Sequence, residues 1–328
     1  MSPTVAVVGA GAWGKNHVRT LNELGALAGV VEASESLRER VHHDYPGIRV
    51  WSSIEQALPH VPAFVIATPA ASHVALASIA LDAGKGVLIE KPMALEVEGA
   101  QALVHKADAG RHTLMVGHLL IYQPAIAKLK ELLDQGIIGK VYRIHQERLN
   151  FGRVRETESV LWSLGPHDVA VLMYLLGGHP EPVQAAGSSY LQPGIQDDVH
   201  LELGFADGCS AHIHVAWYWP EQRRGLKVMG ETGMIVYDEA SQTLTLHRKR
   251  LAGGTGVERL ALVDDGVVSM FAGHGQPLLL EDQHFLTCLE SGAKPLSDGQ
   301  SGLDVIRVLQ LADAQLTATG PSQPKEPS

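Results

Sequence analysis

The chain is short of the features that mark several protein classes. Of its 328 residues two are cysteine, Cys209 and Cys288, far apart and without metal-ligand spacing. That argues against a disulfide framework and fits a reducing, cytoplasmic setting. Positive charge is not in excess: 26 Lys and Arg stand against 36 Asp and Glu, for a net charge of −10. A general nucleic-acid binder is therefore not expected, and any anionic small molecule must rely on a local basic site. No run of about 18 apolar residues occurs, so no membrane span is expected. The first residues lack a basic start and a long apolar stretch, so no signal peptide is expected. Internal repeats are absent too.

What is present reads as a globular chain. Hydrophobic residues make up 45%, enough for a full core, and the length fits about two domains. Up to about residue 120, continuous apolar runs (Val5–Val8, Gly29–Glu32, Val50–Trp51, Phe64–Ala67, Val87–Ile89, Leu114–Val116) alternate with helical patterns such as Ala71–Asp82 and Val97–Ala109. Such runs imply a parallel sheet covered on both faces. Beyond Tyr122 the pattern changes. Pro124–Gln135 and His167–Leu176 read as helices, and Val141–Leu149 alternates as a strand. His200–Phe205 and Ser210–Tyr218 flank Ala206-Asp207-Gly208, a hairpin signal. Leu226–Met229, Met234–Tyr237 and Thr243–Leu246 add strands, and Leu278–Glu290 and Leu303–Thr317 add helices. The expected fold is α/β: an N-terminal doubly wound Rossmann domain with a parallel sheet (1–120), then a C-terminal α+β domain on a large, mostly antiparallel sheet (121–319). A frayed tail is expected over 320–328.

The most informative motif follows the first strand. Gly9-Ala-Gly11-Ala12-Trp13-Gly14 opens the first helix pattern, the setting a dinucleotide fingerprint requires. Gly9 allows the tight turn, Gly11 lets the backbone approach a pyrophosphate, and Gly14 lets helix and strand pack closely. The helix N-terminus then directs N–H groups at phosphate. Glu32 ends the second strand, where an acid accepts hydrogen bonds from ribose hydroxyls and repels an added phosphate, so NAD is favoured. Arg38 and Arg40 keep NADP open. Three segments fall at later strand ends: 66–73, with Thr68, Pro69 and His73; Ile89-Glu90-Lys91-Pro92; and 116–122, ending in Tyr122.

These residues together resemble the Gfo/Idh/MocA oxidoreductases over nearly the whole chain. The markers are the glycine turn, Thr68-Pro69…His73, Glu90-Lys91-Pro92, Gly165-Pro-His167-Asp168 and Gly302-Leu-Asp-Val-Ile-Arg307. The resemblance implies hydride transfer between a sugar or polyol carbon and NAD(P), with Lys91 hydrogen-bonding the reacting hydroxyl and His167 exchanging its proton. An imidazole near neutrality suits that exchange, and an ammonium suits the developing alkoxide. Many members carry an aspartate four residues before the histidine, where this chain has Ser163. Asp168 points about 100° away from His167 on a helix, which makes it a poor replacement.

The segment from Gln146 to Arg155, with Val160–Asp168, resembles the members that act on nucleotide sugars. That implies oxidation of the 3-hydroxyl of UDP-N-acetylglucosamine, or of its 6-carboxylate relative, to a 3-keto sugar. A PLP-dependent aminotransferase would then use the product for 2,3-diamino sugars of lipid A or surface polysaccharide. A free sugar or polyol dehydrogenase is the alternative. The resemblance also implies a homodimer or homotetramer through the C-terminal sheet. Arg148, Arg153 and Arg155 suit a pyrophosphate, or else pair with Glu147, Glu156 and Glu158 on a solvated face. Arg148 shares a strand face with Gln146 and Asn150, and Tyr122 either lines a sugar pocket or packs. Trp217 and Trp219 read as sheet packing or subunit interface in preference to a stacking platform. His212 and His214 share a strand face, but no third ligand is evident and no metal is expected.

Overall fold

The computed structural model describes residues 3–253 and 261–318, so the tail at 320–328 lies outside the described residues. The chain divides into two compact units.

The first unit comprises the chain up to Tyr122 together with Gln276–Arg307. Its sheet contains β1 (Val5–Val8), β2 (Leu27–Val31), β3 (Arg49–Trp51), β4 (Ala63–Ile66), β5 (Gly86–Glu90) and β6 (Leu114–Gly117). All pairs are parallel, in the order β3-β2-β1-β4-β5-β6. Every residue of β1, β4, β5 and β6 is buried, which is why these strands are apolar runs without alternation. Helices α1 (Gly14–Glu23), α2 (Glu35–Asp44), α3 (Ile54–Ala57), α4 (His73–Asp82) and α5 (Val97–Gly110) follow the strands in turn. The strand order reverses between β1 and β4, and open α/β sheets bind ligands beyond the strand ends at such a point.

The second unit comprises Gln123–Gly275 and the chain from Val308. Helix α6 (Pro124–Asp134) leads to β7 (Val141–Phe151), α7 (Val160–Leu176), β8 (Val183–Ser188), β9 (Asp198–Gly204), β10 (Ser210–Ala216), β11 (Tyr218–Gly230), β12 (Met234–Asp238), β13 (Thr243–Ala252) and β14 (Ala261–Ala272). The strands form one sheet in the order β14-β13-β12-β11-β7-β10-β9-β8. Each pair is antiparallel except β7–β10, which is parallel. Ala211, Ile213 and Val215 of β10 are fully buried, and α7 packs on this sheet.

Three features depart from the sequence pattern. Residues 276–307, which the sequence pattern includes in the C-terminal domain (121–319), belong to the first unit. There α8 (Pro277–Ser291) meets α1, and Asp298 bridges to Met115 of β6. Helix α7 begins at Val160, not at His167, and runs through Pro166. A proline predicts a helix start because it has no N–H for the carbonyl four residues earlier. Here burial of Leu161, Val169 and Leu172 holds the turns on both sides. No residue of the edge strands β8 and β14 is buried, so no buried apolar alternation announces them. Helix α9 (Gly299–Ala318) closes the described chain. Among the described residues no helix is long and apolar enough to cross a membrane.

Candidate cofactor and catalytic sites

The glycine turn has the geometry its sequence predicts. Gly9 adopts φ +91°, and a Cβ there would stand 2.9 Å from the Ala67 carbonyl oxygen. A Cβ on Gly14 would come within 1.9 Å of the Gly9 carbonyl oxygen, so helix and strand approach as only glycine permits. At Gly11 a Cβ would meet nothing within 4 Å. Gly11 borders a cavity of about 510 Å³ shared with Gly9, Glu32, Ser53, Thr68 and Pro69. The cavity lies at the switch point, where a dinucleotide would sit with its phosphates over the bare turn. Glu32 accepts hydrogen bonds from the backbone N–H of Ala10 and of Ser34, each at 2.8 Å. Arg38 donates to the backbone carbonyls of Glu32 and Ala33 at 2.9 and 2.6 Å. Its guanidinium braces the acid's turn instead of waiting for a 2′-phosphate, in keeping with NAD.

Around Glu90 the first unit buries a charged network. Glu90 accepts from Trp13 Nε1 at 2.5 Å, from His17 Nε2 at 2.8 Å and from the Lys91 N–H at 3.1 Å. His17 also meets Asp282 of α8 at 2.9 Å. Burial pulls the His17 pKa down, but Asp282 and Glu90 override it and hold the imidazole well above its usual value. The ring is therefore a cation between two carboxylates. Glu281 is fully buried, and among the described residues neither carboxyl oxygen has a hydrogen-bond partner. Burial, reinforced by the Glu90 charge, raises its pKa well above the carboxylate range. Trp13, expected to touch cofactor, thus spends its indole N–H on Glu90, and Glu90 fixes the backbone at Lys91. The Lys91–Pro92 peptide is cis.

His73 has a similar role. Its ring is buried, with Nδ1 2.9 Å from the Pro92 carbonyl and Nε2 2.7 Å from the Thr68 carbonyl. It ties the Thr68-Pro69 turn to the Lys91-Pro92 turn and does not line the cavity, as Ala12 also does not. Tyr122 is buried as well, its hydroxyl 3.1 Å from Ser297 Oγ and its ring against His284, so the structure gives it a packing role. His118 is missed by sequence reasoning. Burial pushes its pKa down to about 4, and among the described residues neither ring nitrogen has a hydrogen-bond partner. Only its place just after β6 could have signalled it.

In the second unit α7 carries His167 and, next to it, the fully buried Asp168. Asp168 accepts from Gln146 Nε2 at 2.5 Å and takes Arg148 Nε on both oxygens at 3.0 Å. Arg148 Nη1 and Nη2 donate to Glu239 at 3.2 and 3.0 Å. Burial works against the Arg148 cation, and Asp168 and Glu239 outweigh it and raise its pKa. The sequence offers this guanidinium to a pyrophosphate, but here two protein carboxylates occupy it. Neither is among the glutamates its spacing suggests, because Glu239 lies 91 residues away. Asp168 faces the sheet, so it anchors α7 and does not take the place of an acid at Ser163. Arg155 pairs with Glu158 at 3.3 Å. Asn150 lies near the end of β7 and is half-buried, and Arg153 lies just beyond it and is exposed. Trp217 is buried and donates to Asp197 at 2.6 Å. Arg223 and Arg224 belong to β11 and border a cavity of about 400 Å³ with Glu147, Lys227 and Glu239.

The model of the Gfo/Idh/MocA oxidoreductase family, NAD-binding Rossmann fold, matches residues 4–118, and the family's C-terminal domain matches residues 126–236. The chain belongs to the Gfo/Idh/MocA family. Family membership makes it an oxidoreductase with NAD as its cofactor, and the open turn at Gly11 with Glu32 beside it fits that cofactor. A UDP-N-acetylglucosamine 3-dehydrogenase of Acidithiobacillus ferrooxidans is 26% identical over 92% of this chain and 93% of its own. Inositol 2-dehydrogenase 2 of Saccharopolyspora erythraea is 30% identical over 77% of this chain and 78% of its own. The solved structure of UDP-N-acetylglucosamine 3-dehydrogenase GnnA from A. ferrooxidans shares the fold, with a TM-score of 0.85 at 24% identity over 97% of this chain and 98% of that one.

Proposed function

We propose that this protein oxidises the 3-hydroxyl of UDP-N-acetylglucosamine to the 3-keto sugar with NAD. The observation that carries the substrate is the match to the A. ferrooxidans enzyme over 92% of the chain. When bound, the oxidised nicotinamide accepts the hydride from the carbinol carbon. Lys91, its backbone fixed by Glu90, hydrogen-bonds the hydroxyl oxygen and stabilises its charge as the proton leaves. His167 takes that proton, a role suited to an imidazole near neutrality. Asp168 holds α7 in place through Arg148. With Arg148 engaged by carboxylates, the pyrophosphate falls to Arg153, and Asn150 supplies a polar contact to the sugar. The 3-keto product suits a PLP-dependent aminotransferase as the next enzyme. The protein works in the cytoplasm as a homo-oligomer through the second unit's sheet.

A second reading rests on the higher identity to inositol 2-dehydrogenase 2, which favours a free polyol. One assay separates the two. Reduced-nicotinamide absorbance is followed with NAD and, in turn, UDP-N-acetylglucosamine, its 6-carboxylate, glucose and myo-inositol. An aminotransferase and glutamate are added to draw the equilibrium, with product read by mass spectrometry. A 3-amino product from UDP-N-acetylglucosamine supports the proposal. Turnover of the carboxylate alone keeps the mechanism and moves the substrate. Turnover of inositol or glucose, with both nucleotide sugars inert, overturns the nucleotide-sugar reading.

A further inference from the structure

One face of the second unit's sheet carries four histidines on three adjacent strands: His145 in β7, His212 and His214 in β10, and His200 in β9. Register pairs His145 with His212 and His200 with His214. The first pair stacks with ring centroids 4.9 Å apart, the second at 3.9 Å. Asp198, on the same face of β9, presents one carboxylate oxygen to two imidazoles. Its Oδ1 is 3.3 Å from His200 Nε2 and 3.0 Å from His214 Nε2. These three atoms all lie within 4.8 Å of one another.

The hydrogen bonds around them fix the tautomers. Glu202 Oε1 lies 3.0 Å from His212 Nδ1. An ionised carboxylate only accepts, so His212 carries its proton on Nδ1 and, as a neutral ring, offers Nε2 as an acceptor. That Nε2 is 3.5 Å from His200 Nδ1, so His200 places its own proton on Nδ1 and turns the lone pair of Nε2 toward Asp198. A lone pair and a carboxylate oxygen then face each other at 3.3 Å, a repulsive arrangement that a cation between them reverses. Around a tetrahedral ion with bonds of about 2.0–2.1 Å, neighbouring ligand atoms stand about 3.3–3.4 Å apart. The separations at Asp198 are close to that.

We infer that Asp198, His200 and His214 form a binding site for a divalent transition-metal ion of the zinc class. His212 and Glu202 orient His200, and a water completes the tetrahedron. Two imidazoles with one carboxylate suit zinc, cobalt or nickel, whereas magnesium and calcium prefer oxygen shells. The His-x-His spacing misleads here: His214 finds its co-ligands on β9, across the hairpin, while His212 serves as support. The ion would clamp β9 to β10. This inference is independent of the substrate reading, since neither strand carries a residue assigned to the dehydrogenase chemistry.

The test uses the full chain without an affinity tag, stripped by chelator and titrated with Co²⁺ and then Zn²⁺ at neutral pH. Calorimetry and the visible absorption of bound Co²⁺ are the readouts. About one ion per chain is expected, with the intense visible bands of a tetrahedral cobalt site, displacement by Zn²⁺ and a rise in melting temperature. His200→Ala should weaken binding more than tenfold and remove the thermal shift, and His212→Ala should weaken it about tenfold. His145→Ala should leave it unchanged. If circular dichroism shows that His200→Ala does not fold, Asp198→Asn carries the same comparison, since it keeps the side chain's size. Absence of saturable binding by either ion would overturn the inference. So would binding that survives both His200→Ala and Asp198→Asn undiminished.

Discussion

Glu90 in the first unit and Asp168 in the second hold matching places, each a buried carboxylate next in sequence to a residue proposed for chemistry, Lys91 or His167. Each is held by several donors at once, so the backbone of its neighbour is fixed by groups that do no chemistry. The donors differ. Asp168 is held by Gln146 and Arg148, and a guanidinium keeps its charge at any accessible pH. Glu90 is held by Trp13, His17 and a backbone N–H, and the His17 charge depends on Asp282 and Glu90 outweighing burial. The charged donor of one anchor is permanent, and that of the other is conditional on pH.

The largest expected effects test the division between anchor and reactive group. Lys91→Ala and His167→Asn should each lower kcat by about 10²–10⁴-fold with an unchanged melting temperature. Arg148→Ala should do the reverse in kind, because it leaves Asp168 buried and unpaired. A loss of about 3–5 kcal/mol of stability is expected, measured by urea unfolding. An Arg148→Ala protein of native stability that had lost only affinity for a nucleotide sugar would make Arg148 a phosphate reader after all.

The His17 pKa in the folded state lies above its unfolded value of about 6.5. Its stabilisation is therefore fully present below about pH 6.5 and is lost as pH rises through the folded pKa. His17→Gln should cost about 1.5–3 kcal/mol near pH 6, the range for hydrogen bonds to charged groups. Unfolding free energies measured across the alkaline range should show the wild type declining toward the variant. Parallel curves would mean that His17 is neutral and that the two anchors are alike in kind.

How far each anchor could be read from sequence follows from the distances involved. The Rossmann strands were legible because burial on both faces leaves unbroken apolar runs, and the glycine turn because the positive φ of Gly9 and the approach of Gly14 to the Gly9 carbonyl are local backbone demands. The first unit's charged core was not. His17 meets Asp282 across 265 residues, and α8 had no local signal of its return to the first unit. Arg148 was legible as a strand residue, but its partners depend on β7, α7 and the turn after β12 being brought together. Pro166 hid the start of α7, since a local rule about proline competes with burial on both sides of it. The His-x-His spacing in β10 was legible as a pair but not the cross-strand set, because register lies outside local pattern.

The smallest net effect is expected at Glu281, beside the conditional anchor. Both of its carboxyl oxygens are buried without a partner, and burial with the Glu90 charge raises its pKa well above the ordinary value. A carboxyl with a raised folded pKa stays protonated in the fold, so stability is present below its unfolded pKa and falls as pH rises through the folded one. Each unit of that shift is worth about 1.4 kcal/mol. Glu281→Gln removes the titration, but its amide N–H groups inherit the missing partners at about 1–3 kcal/mol, which offsets most of the relief. The sign of the pH dependence is therefore the readout. The variant should gain on the wild type as pH rises from about 5 to 8, whereas Gln substituted for an ionised, solvated glutamate would show no trend. A flat difference would mean that Glu281 is ionised in the fold, and the cation at His17 would then have three carboxylates to balance.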